Sequence, residues 1–312
     1  MLSKTKSIYT ILITLIILFG VLVILQRKDT DTKTPENQSE TVAKTQENTT
    51  SSDIEIIYED GLDVKSEKNI YYNSEKELDI YYPAKSGSYP FVMWFSGGNG
   101  NSKSNSEDIA KEIASYGFVV VATNYGESDL SISGEGRIRN ALSAADYVWK
   151  NASKYKIDTS KNVLAGGTSF GGIISSLFGT ITNEPGFNTY NISSRIGGVV
   201  DMFGSVELNP DASKANVAFS SLFGCENPYS CPQADILRVS QYINSSDVPF
   251  LIIHGLLDNT SDPQQSINLK NTLDSKNIEA TLILDEDNKH DSEMAFEYID
   301  QIINFFREKS IY

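Results

Sequence analysis

The chain has 312 residues, with 41 Asp and Glu against 26 Lys and Arg, a formal net charge of -15, and 40% hydrophobic residues. That length holds one sizeable catalytic core with accessory segments and not two large enzyme domains, and the hydrophobic share excludes a disordered or fibrous chain. A surface this acidic repels polyanions, so nucleic acid is excluded as an expected partner.

Residues 8–25 are almost unbroken aliphatic sequence, about 18 residues, just enough helix to cross the hydrocarbon core of a bilayer. Lys4 and Lys6 precede the run and Arg27 and Lys28 follow it, so the flanking charge sets orientation only weakly. Phe19-Gly20-Val21-Leu22-Val23 offers no small-residue cleavage pattern; an uncleaved membrane anchor over 1–28 is expected, with a cleaved signal peptide as the alternative. Residues 29–53 are rich in Thr, Glu, Gln, Asn, Ser and Lys and nearly empty of large apolar side chains, which predicts a flexible polar tether. A single-pass protein of the cell membrane with its catalytic domain outside the cell is the expected arrangement, or a secreted one after cleavage. Cys225 and Cys231 have five residues between them in a Gly- and Pro-containing loop, with no other Cys in the chain. A disulfide in an oxidising compartment is expected there, two buried thiols being the alternative.

Beyond the tether, 54–58 and 78–82 alternate apolar and polar residues in the manner of half-exposed strands at the edge of a sheet. The runs 91–95, 118–122, 163–165, 196–200 and 250–253 are continuously apolar instead, as strands buried on both faces are. Between and after them, 109–116, 138–149, 171–178, 266–273 and 294–306 place apolar residues at three- and four-residue steps, which predicts amphipathic helices. Alternating buried strands and helices indicate an α/β fold: a mostly parallel central sheet of about eight strands flanked by helices, filling 54–312. The interval 207–248, with Pro210, Pro228, Pro232, the Cys pair and several aromatics, is too long for a plain connection. It predicts a cap inserted before the strand at 250–253, in which Phe219, Leu222, Phe223 and Tyr229 line an apolar substrate pocket or pack the cap on the core.

The chemistry centres on Gly167-Thr168-Ser169-Phe170-Gly171, which follows the strand at 163–166 and precedes a helix. This is the strand-turn-helix context of the G-x-S-x-G pattern, where a strained turn exposes a serine hydroxyl and bulkier neighbours would collide with strand and helix. A serine hydroxyl needs a base to remove its proton, and the chain has two His. His290 follows the run 280–284 in a polar loop and is the expected base; His254 ends a buried run and is expected to be held by backbone contacts. The base needs a carboxylate that fixes its tautomer. Asp258, in the loop after the strand at 250–253, gives the chain order Ser, Asp, His, with Asp201 as the rival acid. Ser96-Gly97-Gly98-Asn99-Gly100 follows the strand at 91–95. There Gly98 or Asn99, together with Phe170 after the serine, can offer the N–H pair of an oxyanion hole.

With these residues assembled, the sequence resembles the α/β-hydrolase superfamily across 54–311. Within it the chain is similar to the esterase/lipase group that includes hormone-sensitive-lipase-like and feruloyl or acetylxylan-type esterases. The likeness is carried by Tyr155-Lys156-Ile157-Asp158, Gly167-Thr168-Ser169-Phe170-Gly171-Gly172 and Pro249-Phe250-Leu251-Ile252-Ile253-His254-Gly255. Two departures stand out: Ser96 where the group usually has His, and a base loop reading Asn288-Lys289-His290-Asp291. The resemblance implies hydrolysis of a small-molecule or polysaccharide-linked carboxylic ester through an acyl-enzyme, with no metal or other cofactor. A serine peptidase or amidase of the same fold, and a non-catalytic surface module that retains the fold, are the alternatives.

Overall fold

The continuously apolar runs form the middle of the sheet. In the computed structural model, which describes residues 59–98, 102–126, 132–206 and 236–311, they are β3 (Phe91–Phe95), β4 (Val119–Thr123), β5 (Val163–Thr168), β6 (Ile196–Met202) and β7 (Phe250–Gly255). Every residue of β3, β4, β5 and β7 is buried, which requires cover on both faces because successive side chains point to opposite sides. β1 (Val64–Tyr71), β2 (Glu77–Pro83) and β8 (Ala280–Asp285) complete an eight-stranded sheet of order β1-β2-β4-β3-β5-β6-β7-β8. The β1/β2 and β2/β4 pairs are antiparallel and the rest parallel. This is the α/β-hydrolase arrangement.

Seven α-helices occur among the described residues: α1 (Ser102–Asn105), α2 (Glu107–Ser115), α3 (Gly134–Lys150), α4 (Phe170–Thr180), α5 (Gln264–Ser275), α6 (Met294–Glu297) and α7 (Ile299–Lys309). On one face Ile138 and Leu142 of α3, Ile173 and Leu177 of α4, and Leu269 and Leu273 of α5 pack on Met93, Phe95, Ala165 and Ile252. On the other, Ile109 and Ile113 of α2 and Ile302 and Phe306 of α7 cover Val92, Trp94, Leu164 and Leu251. Helix α3 begins where the Ser133 hydroxyl accepts from the Gly136 N–H at 3.1 Å, satisfying a donor that the helix itself cannot. Helix α4 is buried along its whole length, so it carries apolar and small residues all round rather than a stripe.

Several expectations are revised. The run 78–82 is not half-exposed: Leu78, Asp79, Ile80 and Tyr81 are all buried, because β1 pairs outside β2 and takes the edge. β1 itself is an exposed, charged strand with a register shift between Glu67 and Ile70, which hides the period-2 signal. The predicted helix 294–306 is two helices meeting at Tyr298. Of the cap interval, 236–248 is described, and its Leu237, Val239 and Ile243 are part of the core beside α4. Phe219, Leu222, Phe223, Tyr229, Cys225 and Cys231 lie outside the described residues, as do the strand expected at 54–58, the apolar run 8–25 and the tether expected at 29–53. Among the described residues no helix is long and apolar enough to cross a membrane.

Candidate active site

Strand β5 runs into Ser169, which has φ 55° and ψ -120°, and α4 starts at the next residue. A left-handed backbone on a non-glycine residue costs on the order of 1–3 kcal/mol and persists only where neighbours enforce it. Here the Ser169 N–H donates to the Met202 carbonyl at 2.9 Å. The flanking glycines are required by close approach. A Cβ on Gly167 would stand 2.4 Å from the Gly171 carbonyl oxygen, and one on Gly171 2.0 Å from that of Phe95. Both contacts are with backbone that cannot swing aside, so the G-x-S-x-G spacing follows from the packing of β5, α4 and the end of β3.

The serine hydroxyl lies 2.8 Å from His290 Nε2, and His290 Nδ1 lies 2.6 Å from Asp258 Oδ2. With Nε2 accepting from the hydroxyl, Nδ1 carries the proton and donates to the carboxylate, a charge-assisted bond. The Asp258 side chain is buried and that of His290 is 21% exposed, so the imidazole opens to solvent while the carboxylate does not. The other Asp258 oxygen accepts the N–H groups of Thr260 at 2.7 Å and Ser261 at 2.9 Å. Burial alone would raise the Asp258 carboxyl; hydrogen bonds from His254 and His290, with the charge of His290 and the Ser261 N–H, outweigh it and hold the group well below the usual carboxylate range.

The rival acid stands elsewhere. Asp201, on β6, is fully buried against α4, where its carboxylate accepts the Gly204 N–H at 3.0 Å and the Ser176 hydroxyl at 3.1 Å. Burial pushes its carboxyl up to about 6, against the lowering effect of those bonds and of His254. It braces the turn after β6, and His290 takes its partner from Asp258 instead.

His254 has a more specific position than a strand end held by backbone. It is fully buried, its Nδ1 is 2.6 Å from the Ser266 hydroxyl, and its Nε2 is 3.1 Å from the Ser261 carbonyl and 3.3 Å from Asp258 Oδ2. With the Ser266 hydroxyl donating to Nδ1, Nε2–H is shared between that carbonyl and the carboxylate. Asp258 is thus gripped by two imidazoles. Between them lies Phe203, with φ 45° and its ring edge-on to His290 at 4.8 Å and to His254 at 6.3 Å. No sequence signal distinguished Phe203, since a Phe after a buried strand is ordinary core material.

The base loop is fastened to the sheet. Asn288 donates its N–H to Asp285 Oδ1 at 3.0 Å and its side-chain amide to Oδ2 at 2.9 Å, and the Tyr298 hydroxyl donates to the same Oδ2 at 2.5 Å. These bonds hold the Asp285 carboxyl down to about 2, Tyr298 contributing most, so Asp285 is a structural anchor for this loop. A Cβ on Gly255 would lie 2.3 Å from the Asn288 carbonyl oxygen, which is why the end of β7 carries glycine there.

Of the oxyanion candidates, Phe170 is the first residue of α4, directly after Ser169, so its N–H lies at the positive end of the helix dipole. The turn after β3 also reaches the serine: a Cβ on Gly97 would stand 2.9 Å from the Ser169 Cβ and 3.4 Å from its hydroxyl oxygen. Gly97 is therefore the glycine that faces Ser169; Gly98 follows it, half-buried, and Asn99 lies outside the described residues. The turn is held by the buried Tyr125, whose hydroxyl donates to the Ser96 carbonyl at 2.7 Å and whose ring stacks on Phe170 at 6.1 Å. Ser96 thus takes part through its backbone, which accommodates a residue other than His. Among the described residues no three His, Cys, Asp or Glu side chains are grouped to hold a metal ion.

The BD-FAE family matches residues 78–273, more than half of the chain. The chain belongs to the BD-FAE family. That family is one of α/β-hydrolase esterases, and carboxylic ester hydrolysis is the activity it brings. Among solved structures, a truncated carbohydrate esterase from gut microbiota is 28% identical, with 81% of this chain and 99% of that one aligned at a TM-score of 0.68. A bifunctional GH43-CE protein of Bacteroides eggerthii is 25% identical over 78% of this chain and 35% of its own, at 0.66. Esterase B of Lactobacillus rhamnosis, 20% identical over 81% and 88%, shares the fold at 0.65. No curated protein matches this BD-FAE chain in sequence.

Proposed function

We propose that this chain is a serine esterase that removes acyl groups from carbohydrate through an acyl-enzyme on Ser169. The observation that carries the reading is the unbroken hydrogen-bonded series from the Ser169 hydroxyl through His290 to Asp258, at 2.8 and 2.6 Å. The Ser169 oxygen attacks the ester carbonyl carbon while its proton passes to His290 Nε2, and Asp258 stabilises the imidazolium that results. The carbonyl electron pair moves onto oxygen, where the Phe170 N–H and a donor of the turn at 96–98 receive it. Collapse of this intermediate re-forms the carbonyl and expels the alcohol, which takes the proton from His290. Water, deprotonated by the same imidazole, then attacks the acyl-serine; the acid leaves and the serine proton returns. The choice of a carbohydrate alcohol is supported by the 28%-identical neighbour, itself a carbohydrate esterase.

The same proposal places the enzyme outside the cell, anchored by 8–25 and set off from the membrane by 29–53, on the strength of their hydropathy and composition. A full-length chain recovered in the membrane fraction, and digested by protease added to intact cells, is the result expected; a protected or freely soluble chain removes the tether from the account. For the chemistry, acetylated and feruloylated oligosaccharides and p-nitrophenyl acetate are offered to wild type and Ser169→Ala. Turnover of all three that the substitution abolishes supports the reading, and turnover that survives it does not.

A further inference from the structure

A second feature of the catalytic edge has no part in the chemistry above. Next to the turn that follows β3, a cleft of about 320 Å³ is lined by Lys68 and Asn69 of β1, Glu77 and Asp79 of β2, residues of α1 and α2 including Lys103 and Glu107, and Asn124. The ladders place it on the same edge of the sheet as Ser169: Leu78 of β2 pairs with Thr123 at the end of β4, Trp94 of β3 with Ala122, and Phe95 with Gly167. From β5, which carries Ser169, to β2 is three strand spacings, so the cleft opens roughly 14 Å from the hydroxyl. No single acylated sugar spans that distance. A chain of several sugars does.

The cleft is built rather than incidental. Lys103, 8% exposed, donates to Asp79 at 2.8 Å and to the Asn69 side-chain oxygen, and stands 3.4 Å from Glu77. Asn69 holds a left-handed φ of 57° at the register shift of β1, fastened by its own N–H to Asp79 at 2.8 Å. Lys68 pairs with Glu107 at 2.6 Å. Each wall carboxylate has a lysine partner, three carboxylates sharing two lysines, so the cleft disfavours an anion and presents both donors and acceptors to a neutral ligand. At its side is Tyr71, 59% exposed and directly across the ladder from Glu77, so both side chains stand on one face of the β1/β2 ribbon. An exposed phenol ring beside a row of carboxylates, amides and ammonium groups suits a polyhydroxylated ring, whose C–H face stacks on the aromatic while its hydroxyls reach the polar wall.

We propose that this cleft, with Tyr71 as its platform, is a distal subsite that binds the glycan chain of an acylated oligosaccharide several sugars away from the ester being cleaved. The proposal rests on Ser169 being the ester-cleaving residue. Its test compares full-length wild type with Tyr71→Ala, an exposed position whose loss leaves the core intact, and with Asn69→Gly, which keeps the left-handed backbone while removing the side chain. Substrates are p-nitrophenyl acetate, an acetylated monosaccharide and an acetylated tetrasaccharide. The expected result is a roughly tenfold loss of kcat/KM on the tetrasaccharide through KM, with the two small esters unchanged within about twofold. In parallel, ester-free β-1,4-linked xylo-, gluco- and manno-oligosaccharides of one to six units are titrated against the Ser169→Ala protein. Binding that appears only at three units or more, and that Tyr71→Ala removes, is expected. Equal kinetics of the variants on long and short esters, or no binding of any oligosaccharide, overturns the subsite while leaving the esterase reading in place. If wild type hydrolyses none of the esters, the esterase reading fails, and the titration judges the cleft by itself.

Discussion

Asp258→Asn is the substitution whose consequence follows most directly from the geometry. The carboxylate accepts at both oxygens: backbone N–H groups of Thr260 and Ser261 on one, His290 at 2.6 Å and His254 at 3.3 Å on the other. An asparagine in the same rotamer keeps its oxygen on the two backbone donors and turns its NH2 toward the imidazoles. His290 can meet that group only by accepting at Nδ1, which puts the ring proton on Nε2, facing Ser169. The base then cannot take the serine proton, so kcat on p-nitrophenyl acetate is expected to fall on the order of 10⁴, about 5.5 kcal/mol of barrier, with KM little changed. The fold is also affected, with a definite sign. The Asp258 carboxyl is held below its ordinary value, so it contributes stability that is present above the usual carboxylate range and is lost as pH falls through its folded pKa. Asp258→Asn is therefore less stable than wild type at pH 7, and the gap narrows as the pH is taken below the usual carboxylate range. A variant that keeps more than a tenth of wild-type kcat at neutral pH refutes the assigned tautomer and the role given to Asp258.

Asp201→Asn behaves in the opposite way. The carboxyl pushed up to about 6 favours the folded state at low pH and loses that contribution as pH rises from 3.8 through 6; at pH 7.5 the amide is expected to gain up to about 3 kcal/mol on wild type and a higher Tm, the advantage vanishing near pH 3.5, while ester turnover persists. Loss of turnover would instead restore Asp201 as the acid. Gly171→Ala drives a methyl to 2.0 Å from the Phe95 carbonyl oxygen, so thermal melts should show a loss of at least about 3 kcal/mol or no folded protein, and a near-native melt would mean the turn is looser than described. For His254, Ala should lower kcat roughly tenfold by freeing Asp258 on one side, and Gln, which can still donate, should recover most of it; equal losses for both point to packing alone.

The central sheet and the meeting of Ser169, His290 and Asp258 were legible in the sequence for a shared reason. Strands buried on both faces have nowhere to place a polar side chain, so they appear as unbroken apolar runs, and loops at their ends carry the polar residues that the chemistry uses. β1 was not legible, because an exposed edge strand interrupted by a bulge has neither an apolar run nor a strict alternation. The supporting residues were harder still. Phe203, Tyr125 and His254 act through buried contacts across the fold, with Tyr125 joined to Ser96 and His254 to Asp258, and no local pattern announces a contact between distant residues. The split at Tyr298 has a comparable origin: its hydroxyl is committed to Asp285, which fastens the base loop, and the helix turns there to allow it.

The claim on which the account turns is that the Ser169 hydroxyl is made nucleophilic by His290. A fluorophosphonate, which reacts with a serine activated in this way and spares ordinary hydroxyls, tests it without any assumption about the natural ester. Mass spectrometry of the labelled full-length chain should find one adduct per molecule, on the peptide containing Ser169, and none in Ser169→Ala. A folded wild-type protein that takes up no label, or carries it on a different serine, contradicts the account.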